Sequence, residues 1–331
     1  MSKHRNTSQQ RRALLAHVLL LGVVLVWGTT FPLVKAAVRD ISPLLFNLLR
    51  MSLAAALMIA VHPGTLRGLT RAELRLGATA GLFLALGYQF QTTGLAYTTP
   101  SKSAFLTGLV VVMVPLLNLL PGVAGAHAAR PGAAGLGGAG LAFVGLILLT
   151  SQPGTGAALL SGMHLGEWLT LLCAVAFAAH LLTLAHAAPQ VSARRLGTLQ
   201  IGFAAAVMLL TMPLGGHPVA HLTGRALLAL GVTAVLATAA AFTIQSWAQQ
   251  ILPPTHTALI LTLEPVFAAL TSLLFFRERF GARRAAGGGA DSGGDPAGGG
   301  VQQHATGGAA GVSGYFCRAV RREVRARGFR T

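Results

Sequence analysis

Long apolar runs separated by short polar breaks dominate this chain. The runs cover approximately 14–37, 43–61, 73–96, 103–121, 132–150, 165–187, 196–214, 226–250 and 256–276. A helix needs about 20 apolar residues to cross a hydrocarbon core about 30 Å thick. The runs lack the apolar–polar alternation of a membrane β-barrel strand. The pattern therefore predicts an all-α, polytopic transmembrane helical bundle with about nine spans.

Composition supports a membrane protein and argues against other classes. The chain is 53% hydrophobic and 10% charged, whereas soluble proteins carry about 25% charged residues. Its net charge of +17 would suggest a nucleic-acid partner in a soluble protein, but no basic stretch is interleaved with aromatics. We expect the basic residues to set orientation and to contact the lipid bilayer. No phosphate-binding loop or metal-ligand cluster is apparent, so no cofactor and no metal are predicted.

Basic residues also predict orientation. The polar segment 1–13 is basic, and Arg67, Arg71 and Arg75 follow the second run. Because cytoplasmic loops are enriched in Lys and Arg, we expect a cytoplasmic N-terminus in the cell inner (cytoplasmic) membrane. The basic residues of 277–284 would face outward in a nine-span count, which conflicts with this rule.

The chain contains a weak internal repeat. Residues 92–120 resemble residues 244–274: each segment has an aromatic residue near a helix end, then a turn containing proline, then a helix containing proline. An odd number of spans in each half requires the duplicated halves to be inverted in the membrane. We predict two inverted five-helix repeats over 14–150 and 151–284, with a substrate site at their interface.

Three segments resemble one known family. They are Trp27-Gly28-Thr29-Thr30-Phe31 followed by Lys35, residues 97–117, and residues 261–280. These segments resemble EamA-type proteins of the drug/metabolite transporter superfamily. The resemblance implies a ten-helix, inverted-repeat carrier that moves small metabolites, often outward. In place of a tenth apolar helix, residues 285–331 are rich in Gly and Ala and then in Arg, and we predict a disordered tail there, with the last helix missing or aberrant.

One acidic residue lies deep in the last apolar run. Glu264 precedes Pro265 near the middle of that run, where an ionisable group is costly and marks a functional or paired position. Arg50, in the second run, is at a depth from which its side chain could reach Glu264. Two hypotheses follow: Glu264 acts in transport, or Glu264 and Arg50 form a buried charge pair.

Polar and aromatic residues recur at helical spacing in two corresponding runs. The third run carries Tyr88, Gln91 and Thr92, and the eighth carries Thr238, Phe242 and Gln245. Glutamine is costly in lipid, so these stripes should face the bundle interior, either lining a cavity or joining helices by hydrogen bonds. Trp27 and Phe31 would contact substrate or anchor the helix at the membrane interface.

These observations predict a secondary transporter of a small organic metabolite that works by alternating access, and the family resemblance implies that it is an exporter. The predicted substrate-binding residues are Trp27, Phe31, Tyr88, Gln91, Thr92, Thr238, Phe242, Gln245 and Glu264. Two alternatives are a relative that has lost its tenth helix and does not transport, and a membrane-embedded enzyme. An enzyme would need several converging acidic or histidine groups, so none is predicted. The expected partners are the solute and the lipid bilayer, and a homodimer is left open.

Overall fold

A computed structural model describes residues 2–119, 137, 163–252 and 254–276, and these residues form helices and connecting turns without a β-strand. The helices are α1 (Ser2–Ala37), α2 (Pro43–Val61), α3 (Arg71–Tyr97), α4 (Pro100–Thr107), α5 (Val110–Asn118), α6 (Leu165–Ala187), α7 (Ala193–Thr211), α8 (Gly224–Ala234), α9 (Ala241–Ala248), α10 (Pro254–Leu261) and α11 (Glu264–Phe276). The predicted fifth span (132–150) and the predicted tail (285–331) lie outside the described residues.

Most predicted spans match single helices. α2 and α6 have the predicted bounds, and α3 and α7 agree within a few residues. Within the described residues, five helices are long and apolar enough to cross a membrane: Gln10–Ala37, Pro43–Val61, Leu165–Ala187, Ala193–Gly215 and Gly224–Ala248. α3 has a similar length of 27 residues. The all-helical, polytopic prediction is confirmed.

Local capping explains where several helices begin. Thr70 and Glu73 form a reciprocal capping box at the start of α3, which satisfies backbone N–H groups that a helix terminus otherwise leaves unpaired. Ser192 and Thr223 accept backbone hydrogen bonds in the same way before α7 and α8. Proline occupies the first turn of α2 and α4, where its missing N–H costs nothing.

Two predicted continuous spans are broken near their middles. Gly108 and Leu109 separate α4 from α5, and Thr262 and Leu263 separate α10 from α11. Pro265 cannot donate the hydrogen bond that would continue a helix through this point. The two breaks lie at equivalent positions in the two halves, because each span begins at a proline (Pro100 or Pro254) and restarts at the tenth residue after it. Interrupted helices in corresponding positions are typical of binding sites in transporters with inverted repeats.

The run predicted at 226–250 contains a π-helical segment. Val235–Ala240 lies between α8 and α9 in this conformation. A π-segment carries more residues per turn than an α-helix, so side chains on either side of it lose the simple α-helical register.

Contacts between helix ends show that the second half is inverted relative to the first. On the A face, which we define by the turns 62–70 and 188–192, Arg195 forms an ion pair with Glu73 at 2.8 Å. On the B face, defined by the turns 38–42 and 212–223, Arg225 forms an ion pair with Asp40 at 2.7 Å. α1 ends at the B face, whereas α6 begins there, because Thr98 at the end of α3 donates to Glu167 in the first turn of α6.

The helices pack into two bundles, and each bundle contains helices from both halves of the chain. Bundle 1 contains α1 with α8–α11, and bundle 2 contains α6 with α3–α5. α2 and α7 contact each other and also contact helices of both bundles. The backbones of α1 and α11 approach closely at Gly28, where an added Cβ would lie 2.6 Å from Phe267 Cβ and 2.8 Å from the Glu264 carbonyl oxygen.

Candidate functional site

A small cavity lies between the two bundles, beside both helix breaks. Its volume is about 60 Å³, which is room for about four to six water molecules. It is lined by predicted site residues from four helices: Trp27, Phe31, Tyr88, Gln91, Thr92, Phe242, Gln245 and Glu264. Arg50 of α2 also lines it. Whether these residues bind a solute stays a prediction.

Packed apolar clusters lie on the A-face and B-face sides of the cavity. Ala16, Leu20, Ala248 and Leu252 form a buried cluster near the A face. Another buried cluster near the B face includes Phe31, Val34, Ala37, Ile41, Leu95 and Ala226.

Sequence reasoning missed part of the lining. The missed residues are Thr30, Val34, Leu95, Thr107, Gly108, Val110, Phe177, His180, Leu181 and Leu261. Several of them become recognisable when the two halves of the structure are compared. The turns at Ser42 and Ser192 have nearly identical backbone angles and hydrogen bonds, and this match aligns α1 with α6.

The alignment shows that repeat-related residues line the cavity together. The pairs on α1 and α6, each separated by the same number of residues, are Trp27 with Phe177, Thr30 with His180, and Phe31 with Leu181. The equivalent pairs from the interrupted spans and the helices before them are Tyr88 with Phe242, Gln91 with Gln245, and Val110 with Glu264. The charge on Glu264 is thus an asymmetry between otherwise corresponding walls.

Aromatic rings form one continuous wall. The Phe242 ring centroid lies 5.4 Å from Trp27, 6.0 Å from Tyr88 and 5.7 Å from His180. Phe177 meets Tyr88 edge to face at 5.2 Å. Such tilted and edge-to-face geometries are favourable for aromatic pairs. Trp27 Nε1 donates to the Ala237 carbonyl at 2.8 Å, which holds its indole beside the cavity.

Arg50 is held from α3 and from the π-helical segment. Its Nε donates to Thr238 Oγ1 at 2.6 Å, and its Nη2 donates to the Tyr88 hydroxyl at 3.0 Å and to the Ala237 carbonyl at 3.2 Å. The guanidinium carbon also lies 4.2 Å from the Tyr88 ring centroid. These contacts orient the buried Arg50 cation, and all three acceptor groups are uncharged.

The predicted Arg50–Glu264 charge pair is not formed in this structure. The ion pairs within the described residues are Lys102–Glu167, Arg195–Glu73 and Arg225–Asp40. Glu264 is 8% exposed and lines the cavity. The prediction was wrong because it considered only the depth of each residue along its helix. The direction of the Arg50 guanidinium is set instead by its hydrogen bonds to Tyr88, Thr238 and Ala237.

Thr238 is the predicted site residue that the structure places outside the cavity lining. It lies in the π-helical segment and accepts the Arg50 hydrogen bond. The α-helical spacing assumed for this run does not hold across that segment. Gln249, directly after α9, donates to the Leu181 carbonyl at 3.2 Å.

No group of three or more His, Cys, Asp or Glu side chains that could hold a metal occurs in the described part of the chain. His180 instead hydrogen-bonds Gln200 Oε1 at 2.6 Å, and Gln200 Nε2 donates to Ser246 at 3.1 Å. These contacts join α6, α7 and α9 behind the cavity wall.

The fold and the central cavity define a multi-pass membrane protein built from two repeats. The EamA-like transporter family matches residues 14–151 and 164–290, and the chain belongs to this family. An "Uncharacterized transporter" from Archaeoglobus fulgidus is 30% identical over 278 residues, which is 83% of this chain and 83% of that protein. A second "Uncharacterized transporter" from the same organism is 29% identical over 140 residues, covering 41% of this chain and 46% of that protein.

A solved structure has the same fold. It is titled "Crystal structure of protein", and it superposes with a TM-score of 0.58 over 82% of this chain and 94% of its own chain. Its sequence identity is 20%, so the likeness concerns the fold alone.

Proposed function

We propose that this protein is a secondary transporter that exports a small organic solute through the central cavity by alternating access. The observation that carries the proposal is the polar and aromatic cavity at the interface of two inverted repeats, beside a break in each half. Substrate sites of inverted-repeat carriers lie at this position. The outward direction rests on the resemblance to the EamA family.

Polar contacts connect the bundles at opposite ends of the cavity, and one on each side is a candidate gate. On the B side, Lys35 of bundle 1 donates to the carbonyls of Leu95 and Ala96 in bundle 2, at 2.6 and 2.9 Å. On the A side, Gln249 of bundle 1 donates to the Leu181 carbonyl of bundle 2. The two contacts join repeat-related helices. Opening the cavity to one face requires the contact on that side to break while the other holds.

Orientation is part of the proposal. Arg67, Arg71, Arg75, Arg194 and Arg195 lie at or near the A face. Because basic residues concentrate in cytoplasmic loops, we assign the A face to the cytoplasm and the protein to the cytoplasmic membrane.

Transport is tested in two stages. Overexpressing cells are first screened for altered growth on toxic amino acids, amines and drugs, and solutes with an effect are then measured for flux in liposomes containing the purified protein. Saturable flux that depends on the protein supports transport. A folded protein that moves none of the solutes in liposomes would favour the alternative of a relative that does not transport.

The two polar contacts are tested by labelling. A single cysteine placed at Gln91, with Cys173 and Cys317 replaced, reports access to the cavity through reaction with a membrane-impermeant maleimide. Lys35→Met should increase labelling from the B face, and Gln249→Leu should increase it from the A face. Lys102→Met is the matched control, because Lys102 is 48% exposed at its side chain and pairs with Glu167 inside bundle 2. Equal labelling of all variants from each face would contradict the mechanism.

A further inference from the structure

We propose that a pocket on the A face binds the phosphate headgroup of an anionic phospholipid. The pocket lies where α2 ends and α7 begins, and it is lined by residues 61–65 and by Ser192, Arg194 and Arg195. Its volume is about 560 Å³, within the range of about 300–1,000 Å³ that is usual for small-molecule sites. None of these residues lines the central cavity, so the inference does not depend on the proposed transport function.

Arg194 supplies an unmatched positive charge at this pocket. Its side chain forms no hydrogen bond and no ion pair with another described residue. The neighbouring Arg195 is already engaged, because its Nη1 pairs with Glu73 at 2.8 Å and its Nη2 donates to the Arg67 carbonyl at 2.9 Å. Arg194 is therefore the cation that an anionic ligand would contact. A guanidinium binds phosphate through paired N–H donors.

Thr65 contributes a hydroxyl group without a partner. The residue is 7% exposed, and its Oγ1 atom has no hydrogen-bond partner among the described residues. Buried side-chain polar groups in proteins nearly always have a partner. Because Thr65 lines the pocket, a phosphate oxygen bound there would accept a hydrogen bond from this hydroxyl.

The first turn of α7 also favours an anion. Ser192 precedes this helix of 19 residues, and its hydroxyl accepts the backbone N–H of Arg195 at 3.4 Å. The other N–H groups of a first helical turn have no carbonyl partner within the helix, and they carry partial positive charge. Since Ser192 and Arg194 both line the pocket, an anion in the pocket would lie beside the start of α7, a favourable position for a phosphate.

An apolar stripe that ends at the pocket indicates that the ligand is a lipid. Val61 lines the pocket, and Leu57 and Leu53 precede it by one and two steps of four residues in α2; all three side chains are exposed. Residues four apart share a helix face, so the stripe runs from the pocket along the membrane-facing side of α2. A phospholipid with its phosphate in the pocket would lay its acyl chains on this stripe. The A face is the one assigned to the cytoplasm, whose leaflet carries anionic lipids.

The test measures lipid binding to the purified full-length protein. Native mass spectrometry gives the affinity for each probe, and thermal unfolding in detergent gives the stabilisation. Dioleoylphosphatidylglycerol is the anionic lipid, and dioleoylphosphatidylcholine has the same chains with a zwitterionic headgroup. Glycerophosphoglycerol, which is the anionic headgroup without chains, and inorganic phosphate are the soluble probes.

Three variants separate the pocket from the rest of the A face. Arg194→Gln removes the unmatched charge, and Thr65→Val removes the hydroxyl while keeping the shape of the side chain. Arg75→Gln is the matched control, because Arg75 is an exposed arginine near the same face that does not line the pocket.

We expect the wild type to bind phosphatidylglycerol more tightly than phosphatidylcholine and to unfold at a higher temperature in its presence. Arg194→Gln and Thr65→Val should each weaken phosphatidylglycerol binding by about tenfold, the usual effect of losing a hydrogen bond to a charged group. Arg75→Gln should change it by less than about threefold, as for an exposed charge outside a site. Without lipid, Thr65→Val should unfold at the wild-type temperature or above it, because the lost hydroxyl has no partner; this readout separates binding from folding.

Three results would overturn the inference. Equal affinity for phosphatidylglycerol and phosphatidylcholine would mean that the pocket does not recognise an anionic headgroup. Equal weakening by Arg75→Gln and Arg194→Gln would mean that lipid is attracted by the whole basic face and not by the pocket. Stabilisation by inorganic phosphate or glycerophosphoglycerol as large as that by phosphatidylglycerol would assign the pocket to a soluble phosphate compound and contradict the lipid.

Discussion

Gly28 provides the sharpest test of how α1 and α11 pack beside the cavity. A methyl group at Gly28 would lie 2.6 Å from Phe267 Cβ, 2.8 Å from the Glu264 carbonyl oxygen and 3.0 Å from the Ala268 nitrogen. Non-bonded carbon atoms prefer separations of about 3.5–4.0 Å. The obstructing atoms belong to the backbone or are attached directly to it, so rotation of a side chain cannot remove the clash.

We therefore expect Gly28→Ala to lower the free energy of unfolding by about 1–3 kcal/mol, the usual cost of overpacking. The matched control is Gly22→Ala in the same helix, where no atom lies within 4 Å of the added Cβ. Both substitutions add the same methyl group to α1, so their difference isolates the contact with α11.

The assay is unfolding of the purified protein in mixed micelles with increasing SDS, followed by circular dichroism. Gly28→Ala should unfold at a lower SDS fraction than both the wild type and Gly22→Ala, and Gly28→Ser should resemble Gly28→Ala. If the Gly28 and Gly22 variants unfold together, the close approach of α1 and α11 is wrong, and so is the placement of Glu264 that depends on it.

Two further predictions concern the faces of the protein. The Arg225 guanidinium and the Thr223 hydroxyl hold the pKa of the Asp40 carboxyl well below its usual range, so the stabilising effect of the carboxylate is complete above about pH 4 and is lost only as the pH falls towards the lowered pKa. The loss of stability caused by Asp40→Asn should therefore stay constant between about pH 5 and pH 8 and become smaller in stronger acid. A loss that disappears already at about pH 6 would contradict this reasoning. In a background without native cysteines, His62→Cys should react with an impermeant maleimide only from the cytoplasmic side and His217→Cys only from the outside, whereas labelling of both positions from the same side would contradict the inverted arrangement.

The sequence alone indicated a helical membrane protein, because few backbone structures can span a lipid bilayer. Backbone amides in hydrocarbon must be satisfied within the segment, so a long apolar run indicates a helix almost without regard to its neighbours. The bounds of α2 and α6 followed from proline, from polar breaks and from run length. The repeat was visible because the two halves share turn residues and proline positions.

Much of the cavity wall was also predictable. Tyr88, Gln91 and Gln245 are polar residues in apolar helices, and the cost of exposing them to lipid places them inside. His180 and Phe177 were missed because neither forms a motif in the chain. They become recognisable only when the repeat-related turns at Ser42 and Ser192 align α1 with α6.

The sequence by itself determined that this is a helical membrane protein, where its apolar runs lie, and which helix faces turn inward. These features depend on local hydrophobicity and periodicity, whereas the interruptions within the runs do not. The tertiary structure decided the partners of the charged groups. Arg50 turns towards Tyr88 and Thr238, and Glu264 stays on the cavity surface, because a side chain's direction depends on atoms supplied by other helices. The π-segment and the helix breaks likewise change which residues share a face, and no spacing along a single run contains that information.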